Sequence, residues 1–132
     1  MTGADRDAAI RVLLCDDALG FPRLVASWLG RADGFEYLGL AESATELLEI
    51  AGVLAPDVVL LDYMLPEGPT SPELVGRLRT LVPGVRVVLI SSLNGPELEA
   101  QAGRTGADGF CPRATKAERL LAVIAAQRPA GS

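Results

Sequence analysis

The sequence predicts an α/β fold: a doubly wound, five-stranded parallel sheet of the (βα)5 type with strand order 2-1-3-4-5. Three observations point there. Five short apolar segments begin about every 25 residues, helical patterns fill the gaps between them, and a length of 132 residues suits one domain. The apolar segments are Ile10–Cys15, 35–40, 58–61, 85–90 and, more weakly, 109–111. Runs as continuous as Val58-Val59-Leu60-Leu61 suit strands covered on both faces, and alternation with helices implies right-handed crossovers between parallel strands.

After the first strand, Phe21, Leu24, Val25, Trp28 and Leu29 recur at i, i+3, i+4, i+7 and i+8, behind Pro22 near a helix start. The second helix carries Ala44, Leu47, Leu48 and Ala51, and Ser43 with Glu46 three residues on has the pattern of a capping box. Leu74, Val75, Leu78 and Leu81 form the third stripe after Pro72. The fourth helix is the poorest. Between Pro96 and Gly103 only Leu98, Ala100 and Ala102 are apolar, so it should be the least firmly docked. Ala117, Leu120, Leu121 and Ile124 form the last stripe, with Thr115 and Glu118 as its capping pair. The domain is expected to span 10–127, with frayed tails at 1–9 and 128–132.

Composition removes several function classes. The net charge is −5 and the 12 basic residues are scattered, so direct nucleic-acid binding is not expected. No apolar run approaches the roughly 20 residues of a bilayer-spanning helix. Asp5, Arg6 and Asp7 interrupt the start where a secretory core would lie, so a cytoplasmic location is expected. Cys15 and Cys111 sit in apolar segments and read as small buried thiols. Histidine is absent, which rules out a Ser-His or Cys-His pair and leaves the chemistry to carboxylates.

Those carboxylates converge. Asp16 and Asp17 follow the first strand and Asp62 the third, the two strands whose carboxyl ends flank the point where the winding reverses. An Asp-Asp pair alone reads as a turn or a helix cap. A third carboxylate beside it calls for a cation, and hard oxygen ligands of this kind suit Mg²⁺. The loop Cys15-Asp16-Asp17-Ala18-Leu19-Gly20 would repel a nucleotide phosphate in the absence of a metal.

Four blocks, Val12-Leu13-Leu14-Cys15-Asp16-Asp17, Pro56-Asp57-Val58-Val59-Leu60-Leu61-Asp62-Tyr63-Met64-Leu65-Pro66, Val88-Leu89-Ile90-Ser91-Ser92 and Gly106-Ala107-Asp108-Gly109-Phe110, resemble the receiver domains of two-component response regulators. That family has the flavodoxin-like architecture, and the resemblance runs from about residue 10 to 126. It implies that Asp62 takes a phosphoryl group from a sensor histidine kinase or phosphotransfer protein. Asp16, Asp17, Asp62 and the backbone carbonyl of Met64 would hold Mg²⁺. Ser91 would be the switch hydroxyl and Phe110 the aromatic that follows it. On plainer grounds Ser91 satisfies a loop amide and Phe110 packs between the fifth strand and the fourth helix.

The sequence departs from the family where a lysine is usual: it reads Phe110-Cys111-Pro112-Arg113. Arg113 supplies a permanent charge in a planar fork, which is not equivalent to an ammonium. Lys116, the single lysine, reads as a surface residue. Cys111-Pro112 is open to either isomer, with trans favoured. By the resemblance, Met64 and Leu93, each two residues beyond Asp62 and Ser91, would flank the approach to the acceptor; both are apolar, which implies slow self-hydrolysis of an acyl phosphate. The Pro-rich stretch 67–72 shapes access or stiffens a loop.

The resemblance further implies no enzyme activity beyond self-phosphorylation and self-dephosphorylation. A downstream protein or an output domain outside this chain would read the switch, and a homodimer is possible. Two rivals stand beside it: a phosphorylation-independent interaction module, for which Arg113 speaks, and a carboxylate phosphatase. The latter wants a second aspartate two residues after the nucleophile, whereas Asp16 is followed by Asp17 and Ala18. Scattered carboxyl groups, or a guanidinium standing in the metal's place, would remove the switch mechanism.

Overall fold

A computed structural model describes residues 8–128. The expected tails fall largely on 1–7 and 129–132, outside the described residues. The elements are β1 (Ile10–Cys15), α1 (Gly20–Arg31), β2 (Phe35–Ala41), α2 (Ala44–Leu54), β3 (Val58–Asp62), β4 (Met64–Leu65), β5 (Gly68–Pro69), α3 (Pro72–Leu81), β6 (Arg86–Ser91), α4 (Gly95–Thr105), β7 (Gly109–Pro112) and α5 (Ala117–Ala125). β2-β1-β3-β6-β7 form one parallel sheet, which is the expected 2-1-3-4-5 order once the short antiparallel β4–β5 ribbon is set aside.

Strand parity divides the core. Val12, Leu14, Val58, Leu60, Val88 and Ile90 face α1 and α5, meeting Val25, Leu29, Leu120 and Ile124. Leu13, Val59, Leu61 and Val87 face the other way, onto Leu47 and Ala51 of α2 and Leu74, Val75 and Leu78 of α3. α4 packs through the smallest cluster, Leu98 and Ala102 against Leu89, as the thin stripe of apolar residues in its sequence anticipates. Cys15 and Cys111 are free and buried. Among the described residues no helix is long and apolar enough to cross a membrane.

Two capping expectations need correction. Ser43 accepts from Glu46 N (3.1 Å), but the Glu46 carboxylate turns back to Glu42 N (2.9 Å), one residue before the cap. At α5 the N-cap is Lys116 without a side-chain bond, and Thr115 donates instead to the Lys116 carbonyl (3.3 Å). The stripes also overreached, since Leu24 and Leu81 are half exposed. Gly68 (φ +123°) lets the chain reverse between β4 and β5, and the Glu67 carboxylate at that turn accepts from Ala44 N and Thr45 N at the start of α2. The Ala44 amide foremost holds the Glu67 pKa below its ordinary value.

Asp108 is the chief polar pin at the end of the sheet away from the acidic residues. Its Oδ2 accepts from Val87 N and Arg79 Nη2, both at 2.8 Å, and Arg86 Nη1 stands 3.5 Å from Oδ1. Removing it orphans a part-buried backbone amide and two guanidinium contacts. Asp108→Ala should therefore lower the unfolding free energy by about 1–3 kcal/mol in urea titrations, leaving metal binding unchanged.

Candidate metal and phosphoacceptor site

The C-terminal ends of β1, β3 and β6 meet at the switch point, and the local chain path explains how. Asp16 N donates to Ala41 O at the end of β2 (2.9 Å), while Tyr63 N donates to Ile90 O (2.8 Å), so the residues after β1 and β3 are pinned to neighbouring strands. Thr70 fixes the turn beyond Asp62: its N–H donates to Tyr63 O (2.6 Å) and its hydroxyl to Asp62 O (2.8 Å). One carboxylate oxygen from each of Asp16, Asp17 and Asp62 lies within 4.8 Å of the others. Asp16 is fully buried, Asp62 is 7% exposed and Asp17 faces solvent.

Arg113, not Lys116, faces this cluster. Its Nη1 lies 2.8 Å from Asp16 Oδ2 and its Nη2 lies 2.9 Å from Asp62 Oδ1. Below the guanidinium is the ring of Phe21, 5.0 Å from Cζ to the ring centroid. Lys116 is exposed at the start of α5. All peptide bonds among the described residues are trans, Cys111-Pro112 included. Arg113 N donates to Ser91 O (2.7 Å), which places the side chain over the acids.

Burial pushes the Asp62 carboxyl above its ordinary pKa; the Arg113 charge pulls it down and Asp16 pushes it up again, with a raised value as the result. For Arg113, burial alone would lower the pKa, but the Asp16 hydrogen-bonding contact and the charges of Asp62 and Asp16 raise it. That Asp16 contact is close but poorly aligned. Neither buried Asp16 Oδ2 nor Arg113 Nη1 has a well-aligned hydrogen-bond partner. We regard it as an ion pair.

A buried carboxylate oxygen whose close partner is a poorly aligned guanidinium, beside two other carboxylates, is a donor set that fits a small divalent cation. Of the two arrangements that would remove the mechanism, the first is absent, because the three acids converge. The second is met in part: the guanidinium contacts Asp16 and Asp62.

Ser91 is buried at the end of β6, and its Oγ accepts from Leu93 N (3.1 Å). Here it satisfies a loop amide. Phe110 is half-buried with Tyr63 against Leu89, Leu98 and Ala102. Met64 and Leu93, each two residues beyond Asp62 and Ser91, are apolar and 54% and 39% exposed. Two features escaped the sequence reading: Thr70, which carried no motif, and Phe21, read only as one more residue in the α1 stripe.

Fold and site together define a small α/β domain with an acidic, cation-type pocket at its topological switch point. Residues 12–125 match the family model for the response regulator receiver domain, and the chain belongs to that family. Receiver domains serve in two-component systems. The probable transcriptional regulatory protein NarL of Mycobacterium tuberculosis is 32% identical over 116 residues, covering 87% of this chain and 53% of that protein. Chemotaxis protein CheY of Listeria monocytogenes is 25% identical over 87% of this chain and 95% of its own length. The receiver domain of the M. tuberculosis NarL superposes with a TM-score of 0.79 at 28% identity, covering 92% of this chain and 98% of that one. The chain thus spans about half the length of the transcriptional regulators it resembles and nearly all of a CheY.

Proposed function

We propose that this receiver accepts a phosphoryl group on Asp62, with Mg²⁺ held by Asp16, Asp17, Asp62 and the Met64 carbonyl, and thereby switches a protein-interaction surface. The donor would be a sensor histidine kinase or a phosphotransfer protein in the cytoplasm, and the reader a downstream protein or an output domain. The observation that carries this reading is the convergence of three carboxylates from two distant strand ends. The family match and the acidic pocket favour it over a phosphorylation-independent module.

An Asp62 carboxylate oxygen forms the bond to phosphorus as the phosphorus–nitrogen bond of the donor breaks, its electron pair returning to the imidazole. Held by those acids, a divalent cation would supply positive charge against the repulsion between carboxylate and phosphoryl oxygens. Asp62 is fixed by Thr70 on its carbonyl and is nearly closed to solvent, so it is oriented before the donor arrives. Ser91 would exchange the Leu93 amide for a phosphoryl oxygen, now donating its hydroxyl proton, and Phe110 would repack against α4. Neither Met64 nor Leu93 can orient a hydrolytic water, so the acyl phosphate should decay slowly without help.

Intact mass after treatment with acetyl phosphate and Mg²⁺ tests the proposal. One added phosphoryl group on the native chain, missing from Asp62→Asn and persisting through a chase after donor removal, is the expected result. An unmodified native chain, or equal labelling of the variant, would refute it.

A further inference from the structure

We infer that Arg113 is a built-in counter-cation of the acidic pocket, one that competes with the divalent ion and sets how much metal this receiver needs. The inference uses the metal site proposed above but not phosphoryl transfer. Two of the three acids that would ligate the ion already share one guanidinium, at 2.8 and 2.9 Å. A planar fork spanning both carboxylates and a cation ligated by the same oxygens cannot share that space, and two positive charges at such range repel. Binding of one must displace the other.

The guanidinium is poised to move. Its side chain is 28% exposed, so a path to water is open. Its alignment on Asp16 is poor enough to leave both atoms without a proper hydrogen bond, so little directional bonding is lost on leaving. Phe21 supplies the third contact. The ring face holds the guanidinium over the acids, and the ring makes a T-shaped pair with Trp28, 6.5 Å between centroids at 88°, which keeps it from turning away. Arg113 is tied by its backbone N–H to Ser91 O, so the same displacement reaches the residue proposed as the switch hydroxyl.

The apparent affinity for a ligand falls by the fraction of molecules whose site is open: a guanidinium seated nine times in ten weakens binding about tenfold. Mg²⁺ titration calorimetry on the native chain, Arg113→Gln and Phe21→Leu, each checked for folding by circular dichroism, tests this. Arg113→Gln should bind Mg²⁺ on the order of tenfold tighter. Phe21→Leu, which changes no charge, should shift in the same direction by less. The metal-free melting temperature of Arg113→Gln should fall, because two carboxylates lose their counter-charge, and saturating Mg²⁺ should close most of the gap to the native chain. An arginine that merely braces the loop would lower the melting temperature at every Mg²⁺ concentration and leave the dissociation constant unchanged. Equal affinities in the native chain and Arg113→Gln would overturn the inference while leaving the metal site intact. Absence of binding in all three would overturn the metal site and the competition together.

Discussion

Asp62→Asn is expected to make the metal-free protein more stable at neutral pH and to abolish its stabilisation by Mg²⁺. Burial raises the Asp62 pKa above the ordinary value of 3.8 despite the nearby guanidinium. The folded state therefore holds this proton more tightly than the unfolded chain does. As pH rises through the unfolded value the unfolded state releases its proton first, and stability falls until the folded carboxyl has ionised as well. Well below 3.8 none of the penalty is present, and it grows as pH rises past that value toward neutrality.

Charge counting agrees. The buried pair Asp16 and Asp62 with Arg113 sums to −1, and asparagine brings it to zero while Arg113 keeps its contact with Asp16. Relief of one desolvated charge is worth on the order of 1 kcal/mol, or about 4 °C in Tm for a domain of this size. Native protein should gain Tm with Mg²⁺ in proportion to the logarithm of its concentration, and the variant, having lost a ligand, should not. Thermal scans in acid and at neutral pH, with and without Mg²⁺, check all these signs. A variant that melts lower than native at neutral pH without metal would mean that the Asp62–Arg113 pair outweighs the cost of burial.

The sheet was legible because its strands are covered on both faces and so become unbroken apolar runs. β1 matches its expected bounds, while β2, β3 and β7 each run one residue further and β6 lies one residue later than expected. Those ends are set by pairing across strands, such as Ser91 with Pro112, which apolar periodicity does not encode. Helix ends were harder for the same reason. α2 stops at Ala55, a left-handed residue (φ 49°) with no glycine to announce it, bonded back to Ala51.

At the site, the three acids could be found because strand ends and winding order place them together. Which cation faces them could not, since reach depends on the direction of a side chain. Arg113 and Lys116 are three residues apart, yet one is directed onto the acids through its N–H on Ser91 and the other into solvent at the cap of α5. Thr70 lies eight residues from the carbonyl it clamps, across a ribbon whose register depends on Gly68.

The contrast between a central and a peripheral apolar anchor gives the second large effect. Leu60→Ala should lower the unfolding free energy by about 3–5 kcal/mol, toward the upper end for a buried leucine. Leu60 is fully buried on β3, between Leu14 of β1 and Val88 of β6, in the cluster beneath α1 and α5. Strands hydrogen-bonded on both sides cannot collapse into the space a missing isobutyl group leaves. Leu98→Ala removes the same atoms from α4, but there the partners are only Leu89 and Ala102, with Tyr63, Ala107 and Phe110 half-buried around them.

A helix held by so few contacts can shift to fill the gap or open by itself, so its global cost should be nearer 2 kcal/mol. Its signature should lie elsewhere, in amide exchange. Leu60→Ala should speed exchange across the whole sheet by a common factor, because those amides exchange through global unfolding. Leu98→Ala should speed it chiefly over Gly95–Thr105. Uniform acceleration in both variants would show α4 to be as cooperative a part of the fold as β3, and would remove the mobility that the proposed switch requires of it.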